Sequence, residues 1–151
     1  MKFYDFIDSN KDKNITFYFD MDGVLAEYDI YNFDYNTIRP LTSIIEVVKN
    51  LIDSNYEVKI LSICKNNNII DGKLLWMDRN MSFFNKENAI FISKEDEKYK
   101  GIDSMVLKSE YLKNETNKNN INVLIDDDNS IIKYIKRNNS DIKLFHISSL
   151  I

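Results

Sequence analysis

Phe17–Tyr28 reads FYFDMDGVLAEY, and the fold of the chain turns on it. Ile15 to Met21 (ITFYFDM) is a nearly unbroken apolar run rich in aromatic and β-branched residues, the pattern of a strand buried on both faces of a parallel sheet. Two carboxylates stand at its end. Residues two apart on a strand share a face, so Asp20 and Asp22 point the same way while Met21 points into the packing. Gly23 then lets the chain turn off sharply.

Outward from this strand, the apolar pattern alternates between a period of two and a period of 3.6 residues. Leu41, Ile44, Ile45, Val48, Leu51 and Ile52 recur at helical spacing, with Pro40 suited to the first turn. The spacing predicts further strands over Tyr56–Ile63, Ala89–Ile92, Ile121–Ile125 and Ile142–Ile147, and helices over Asp71–Met81, Ser104–Leu112 and Ser130–Arg137. Alternation of this kind builds an α/β, Rossmann-like three-layer sandwich. Its five-stranded parallel sheet carries helices on both faces, and its chemistry sits beyond the carboxyl ends of the strands. The 151 residues make a single domain by length. Residues 1–14 form an N-terminal extension that packs as a strand or helix, and Lys113–Asn120 reads as a solvated loop.

With 44% apolar and 13% aromatic residues the composition is that of an ordinary globular protein. Twenty basic residues against 24 acidic ones, a net charge of -4, leave no broad basic footprint, so duplex nucleic acid is not an expected partner. The single cysteine, Cys64, rules out an internal disulfide and disfavours a zinc cluster. The opening MKFYDFIDSNKDKN lacks the apolar core of a signal peptide, and no stretch reaches the roughly 18 apolar residues of a membrane span. The expectation is a soluble, cytoplasmic protein with no membrane partner.

Two unpaired carboxylates converging at the open end of a sheet repel each other unless a cation bridges them, and a magnesium ion suits that role. The fourth strand, INVLI, also runs straight into acids: Asp126, Asp127 and Asp128. If it lies beside the first strand, all these carboxylates surround one point. Taken singly, acids at strand ends are turn formers or helix N-caps, and Asp128 is read that way. Asp20, Asp22 and Asp126 together are read as a site.

These residues carry a resemblance. DMDGV at Asp20–Val24, behind its hydrophobic strand, resembles the first motif of the haloacid dehalogenase superfamily, and LIDD at Leu124–Asp127 its acidic fourth motif. ILSIC at Ile60–Cys64 supplies Ser62 as the second-motif hydroxyl. Lys73 and Trp76, in GKLLWM, resemble the Lys-x-x-Trp helix of the 5'(3')-deoxyribonucleotidase branch, whose small phage and bacterial members look most similar. The likeness covers the chain from Ile15 onward.

The resemblance implies a Mg2+-dependent phosphatase. Asp20 would be the nucleophile, forming an aspartyl phosphate, and Asp22 the general acid and base. Asp20, the Asp22 backbone carbonyl, Asp126 and Asp127 would surround the metal, and Ser62 would hydrogen-bond a phosphoryl oxygen. The family's phosphate-neutralising lysine is assigned first to Lys108, in VLKSEYL, with Lys100 and Lys113 as competitors, while Lys94 falls in a charged run that reads as a solvated face. Gly23 and Lys73 are further candidate phosphate contacts, against a general expectation that a helix lysine is exposed; Trp76 reads as core.

Only about forty residues separate Asp22 from Ser62, which leaves room for a minimal cap or none, and the stretch from Ser62 to Asp126 has no space for an inserted domain. What remains over the site is a short flap, residues 24–39. Its segment EYDIYNFDYNTIR carries Tyr28, Tyr31, Phe33 and Tyr35, aromatics that either stack on a nucleobase or close the flap onto the sheet. Arg39 either meets a second phosphate or is surface, and His146 and Cys64 read as packed residues. The expected substrate is a small phosphorylated molecule, first a nucleoside 5'(3')-monophosphate, with a polynucleotide 3'-phosphate or a sugar phosphate as alternatives. A signalling receiver domain shares the sheet and the acids, but it places its phosphoacceptor after the third strand, where this chain has Ser93 and Lys94. A silent scaffold of the same fold would be expected to have lost Asp20 or Asp22.

Overall fold

In the computed structural model, which describes all 151 residues, the five apolar segments form one wholly parallel sheet. Its strands are β1 (Ile15–Phe19), β2 (Glu57–Cys64), β3 (Ala89–Ser93), β4 (Ile121–Asp126) and β5 (Ile142–His146). They lie in the order β3-β2-β1-β4-β5. Every residue of β1 is buried, because both faces of the sheet are covered. On one face α1 (Phe3–Ser9), α2 (Thr42–Asp53) and α3 (Asn67–Asn80) pack over Phe17, Phe19, Ile60 and Val123; on the other, α4 (Ser104–Asn114) and α5 (Asn129–Asn138) pack over Tyr18, Leu61 and Leu124. The period-two alternation thus divides each central strand between two cores.

The chain leaves β1 toward β2 and β3, then returns on the other side with β4 and β5, so the winding reverses between β1 and β4. Crevices at such switch points are where open α/β sheets bind ligands. Phe19 pairs with Ile125 in register, and the next residues along are Asp20 and Asp126. The fold itself brings the two acidic motifs together.

Several boundaries differ from the expected ones. Pro40 is not in a helical turn: α2 starts at Thr42, and Pro40 forms an antiparallel bridge with Ala26. With the Glu27 N–H donating to the Arg39 carbonyl at 2.9 Å, that bridge pinches the neck of the flap. β1 stops at Phe19 because the Met21 carbonyl gathers the N–H groups of Val24, Leu25 and Ala26 into a tight loop. α3 begins at Asn67, four residues before Asp71, because the Asn66 side chain caps it by accepting from the Ile69 N–H at 3.0 Å. The N-terminal extension is helical, and α1 buries Phe3 against the rings of Phe17 and Phe145 at 5.7 and 5.4 Å. The stretch expected as a solvated loop, Lys113–Asn120, instead begins inside α4 and buries Thr116, whose hydroxyl donates to the Leu112 carbonyl at 2.7 Å. No helix is long and apolar enough to cross a membrane.

Candidate active site

Asp20, Asp126 and Asp127 each place a carboxylate oxygen within 4.8 Å of the others at the carboxyl ends of β1 and β4. Lys108 reaches them from α4, almost wholly buried, with its Nζ 3.0 Å from Asp20 Oδ1 and 2.6 Å from Asp126 Oδ2. A buried ammonium persists only where carboxylates compensate it, and here two do. Lys100, by contrast, pairs with Glu97 at the surface, and Lys113 sits exposed in the last turn of α4.

Asp22 belongs to a second network. Lys73 donates to Asp22 Oδ2 at 3.0 Å and to Ser62 Oγ at 2.8 Å, and the Tyr35 hydroxyl donates to Asp22 Oδ1. Lys73 is therefore no exposed helix lysine; it is 1% exposed. A signal for this was present in the sequence, since Lys73, Trp76 and Met77 at helical spacing share one face, and that face is the buried one. Ser62 is sealed beneath: its hydroxyl meets Lys73, and it does not line the cleft.

The flap divides its aromatics. Tyr35 closes onto the sheet, backed by Gly72 and held by Arg79, which donates to its carbonyl at 2.8 Å. Trp76 pins the next turn by donating from Nε1 to the Ile38 carbonyl at 2.9 Å. Tyr28 stays 60% exposed over the cleft, where it lines the same cavity as Asp20, Asp22, Lys108, Asp126 and Asp127. Tyr31 stands 91% exposed at the flap tip and lines none of the described cavities, because Asx turns at Asp29, Asn32 and Asp34 carry it outward. Asp128 caps α5 through the N–H groups of Ser130 and Ile131. The His146 imidazole bonds the Asp127 carbonyl and the Ser148 hydroxyl, and so helps hold the β4 loop.

Gly23 has a positive φ of 80°, and a Cβ there would stand 2.1 Å from Asp127 Oδ2. Its place in the site is thus to make room for a carboxylate. Gly23→Ala should cost about 2 to 4 kcal/mol in urea unfolding, from left-handed strain plus the overlap; an unchanged midpoint would contradict this packing.

No protein-family model matches the chain, and no curated protein matches it. Among solved structures, a chain of the Pnkp1/Rnl/Hen1 complex superposes with a TM-score of 0.70 at 18% identity, covering 89% of this chain and 46% of that one. The N-terminal part of the protein BF1531 from Bacteroides fragilis, containing a phosphatase domain complexed with Mg, matches with a TM-score of 0.60 at 14% identity, over 92% of this chain and 38% of that one. The HAD domain of the effector protein Lem4 from Legionella pneumophila matches at 0.52 and 14%, over 89% and 85%. The chain has the haloacid dehalogenase fold. It spans less than half the length of the first two chains, and at these identities the likeness is one of fold.

Within the haloacid dehalogenase fold the acids strain against one another. The Asp20 carboxyl is raised to about 7: burial drives it up, Lys108 pulls against that, and Asp126 adds to the rise. Asp127 is raised to about 6, by burial and then by Asp126. Burial works against the Lys108 charge, but Asp20 and Asp126 outweigh it and its pKa is raised. Because Asp20 is raised above its ordinary value of 3.8, the folded chain binds that proton more tightly than the unfolded one. Its contribution to stability is therefore complete below about pH 4 and lost as pH rises through 7. In chelator, Asp20→Asn, which cannot ionise, should gain stability relative to wild type between pH 5 and pH 8 in urea titrations; a constant difference would contradict the buried, strained carboxylate.

Proposed function

We propose that the chain is a phosphomonoester hydrolase that works through an acyl phosphate on Asp20, with a nucleoside monophosphate as its preferred substrate. The observation that carries this reading is Lys108, buried between Asp20 and Asp126 at 3.0 and 2.6 Å, a cation placed where negative charge would gather. Three oxygen-donor carboxylates within 4.8 Å fit a hard divalent cation, and Asp20, Asp126 and Asp127 would hold Mg2+. Such an ion offsets the charge repulsion between an incoming phosphate and the carboxylates.

The chain's own residues supply the rest. Asp20 attacks phosphorus as the bond to the ester oxygen breaks, and Asp22 delivers a proton to that oxygen. Asp22 then takes a proton from the water that cleaves the aspartyl phosphate, restoring both carboxyl groups and releasing phosphate. Lys108 neutralises the transferring group throughout. Both Asp22 oxygens are engaged, one by Tyr35 from the flap and one by Lys73, so a leaving group that reaches Asp22 displaces a partner. Tyr28 and Phe33, exposed above the cleft, offer faces for a nucleobase.

A polynucleotide 3'-phosphate is the second reading, favoured by the absence of any inserted cap over the cleft and by the fold shared with a chain of a Pnkp1/Rnl/Hen1 assembly described as an RNA repair complex. Phosphate release from a panel of deoxy- and ribonucleoside monophosphates, sugar phosphates and a 3'-phosphorylated oligonucleotide, with magnesium and with chelator, tests both. Release that needs magnesium and favours a nucleotide supports the proposal; release from none of them overturns it.

A further inference from the structure

The cleft that holds Asp20 and Asp22 does not end behind Tyr28. A second hollow of about 240 Å³ shares Asp22, Tyr28, Ile63 and Ser104 with it. A third, of about 390 Å³, continues from the second along Phe33, Tyr35, Lys65 and Ile69. Together they make a path under the flap from the acids toward the N-terminus of α3.

Charge changes sign along this path. β1 and β4 end in carboxylates, whereas β2 and β3 end in lysines: Lys65 follows Cys64, Lys94 follows Ser93, and Cys64 and Ser93 are register partners. The Lys94 N–H donates to the Cys64 carbonyl at 2.8 Å, which sets the two lysine-bearing strand ends side by side. Both lysines line the second hollow, and neither belongs to an ion pair. Lys108 and Lys73 are already matched by Asp20, Asp126 and Asp22, so the charge of Lys65 and Lys94 is surplus to the reacting centre. The Lys65 ammonium rests 4.5 Å from the centre of the Phe33 ring. The third hollow is lined by Asn66 and Asn68 where the 14-residue α3 opens, an end that carries partial positive charge. One carboxylate, Asp34, stands on that outer hollow, with its Oδ1 accepting from the Asn36 N–H.

Two unpaired cations and an aromatic face, reached from the phosphoryl site by a continuous path, fit a substrate that carries more negative charge than the group being removed. We propose that Lys65 and Lys94 form a second phosphate subsite, with Phe33 as the platform for the base between the two phosphates. The substrate is then a nucleotide bearing a phosphate besides the one it loses. This rests on the phosphatase reading above and narrows it. The second phosphate belongs either to a nucleoside 3',5'-bisphosphate or to the diester that precedes a 3'-phosphorylated single-stranded end.

Binding separates this proposal from turnover. Dissociation constants are measured by calorimetry in magnesium on Asp20→Asn, for thymidine 5'-monophosphate, thymidine 3',5'-bisphosphate and a thymidine dinucleotide with a 3'-phosphate. At least one of the doubly charged ligands should bind about tenfold tighter than the monophosphate, the size of one charge-assisted contact at a half-exposed site. Adding Lys65→Gln and Lys94→Gln should remove that gain and leave the monophosphate affinity within about twofold. In the wild-type background the same pair of substitutions should leave monophosphate turnover unchanged. A gain confined to the bisphosphate, or to the dinucleotide, supports the subsite and identifies its source. Equal affinity for all three ligands, or a gain that survives both substitutions, overturns it. Failure of the wild type to release phosphate from any ester would count against the phosphatase reading and leave this binding result standing.

Discussion

Asp20→Asn should abolish phosphate release, by on the order of 10⁴-fold or more in kcat, while the protein stays folded. The amide keeps the shape of the carboxyl and lacks its nucleophilic charge. It also removes a buried carboxylate that lies against Asp126, so thermal unfolding at pH 8 in chelator should shift upward even as activity disappears. That opposite movement of activity and stability is what a residue held in place for chemistry shows. Loss of both together would mean that Asp20 is a folding contact, and retained turnover would remove it from the reaction.

The second large effect is on stability. Lys108→Met keeps the length of a side chain that is 2% exposed and removes the charge lying between Asp20 and Asp126. Breaking a buried pair from one side costs about 3 to 5 kcal/mol, because the remaining charge is left uncompensated. Urea unfolding in chelator at pH 7 should show a loss of that size. At pH 5, where the Asp20 carboxyl, raised by burial, can take up a proton, the loss should shrink; an equal loss at both values would point to packing alone. Turnover by this variant should also fall steeply, since no other lysine lines the cleft that holds Asp20.

How much of this was legible in the sequence differs by element, for physical reasons. β1 was plain because a strand covered on both sides must be apolar throughout, and the pairing of Asp20 with Asp126 followed once β4 was set beside β1. Lys73 was harder. A lysine on a helix is usually solvated, and only its shared face with Trp76 betrayed a buried ammonium matched by Asp22 and Ser62. The start of α3 lay hidden in an asparagine run that reads as loop, although the first of those asparagines is its cap. α1 is too short for a helical period to show, and its place depends on ring contacts with Phe17 and Phe145 that come from distant sequence. The flap was legible as a length but not as a shape: three Asx turns decide that Tyr31 faces solvent while Tyr35 reaches Asp22.

The central claim is the covalent bond to Asp20. Wild type mixed with a labelled nucleotide in magnesium, quenched in acid within the first turnover and digested, should give one phosphorylated peptide, with the added mass on Asp20 of FYFDMDGVLAEY and none on it in Asp20→Asn. Rapid phosphate release with no label on Asp20, or with label on another residue, would contradict the account.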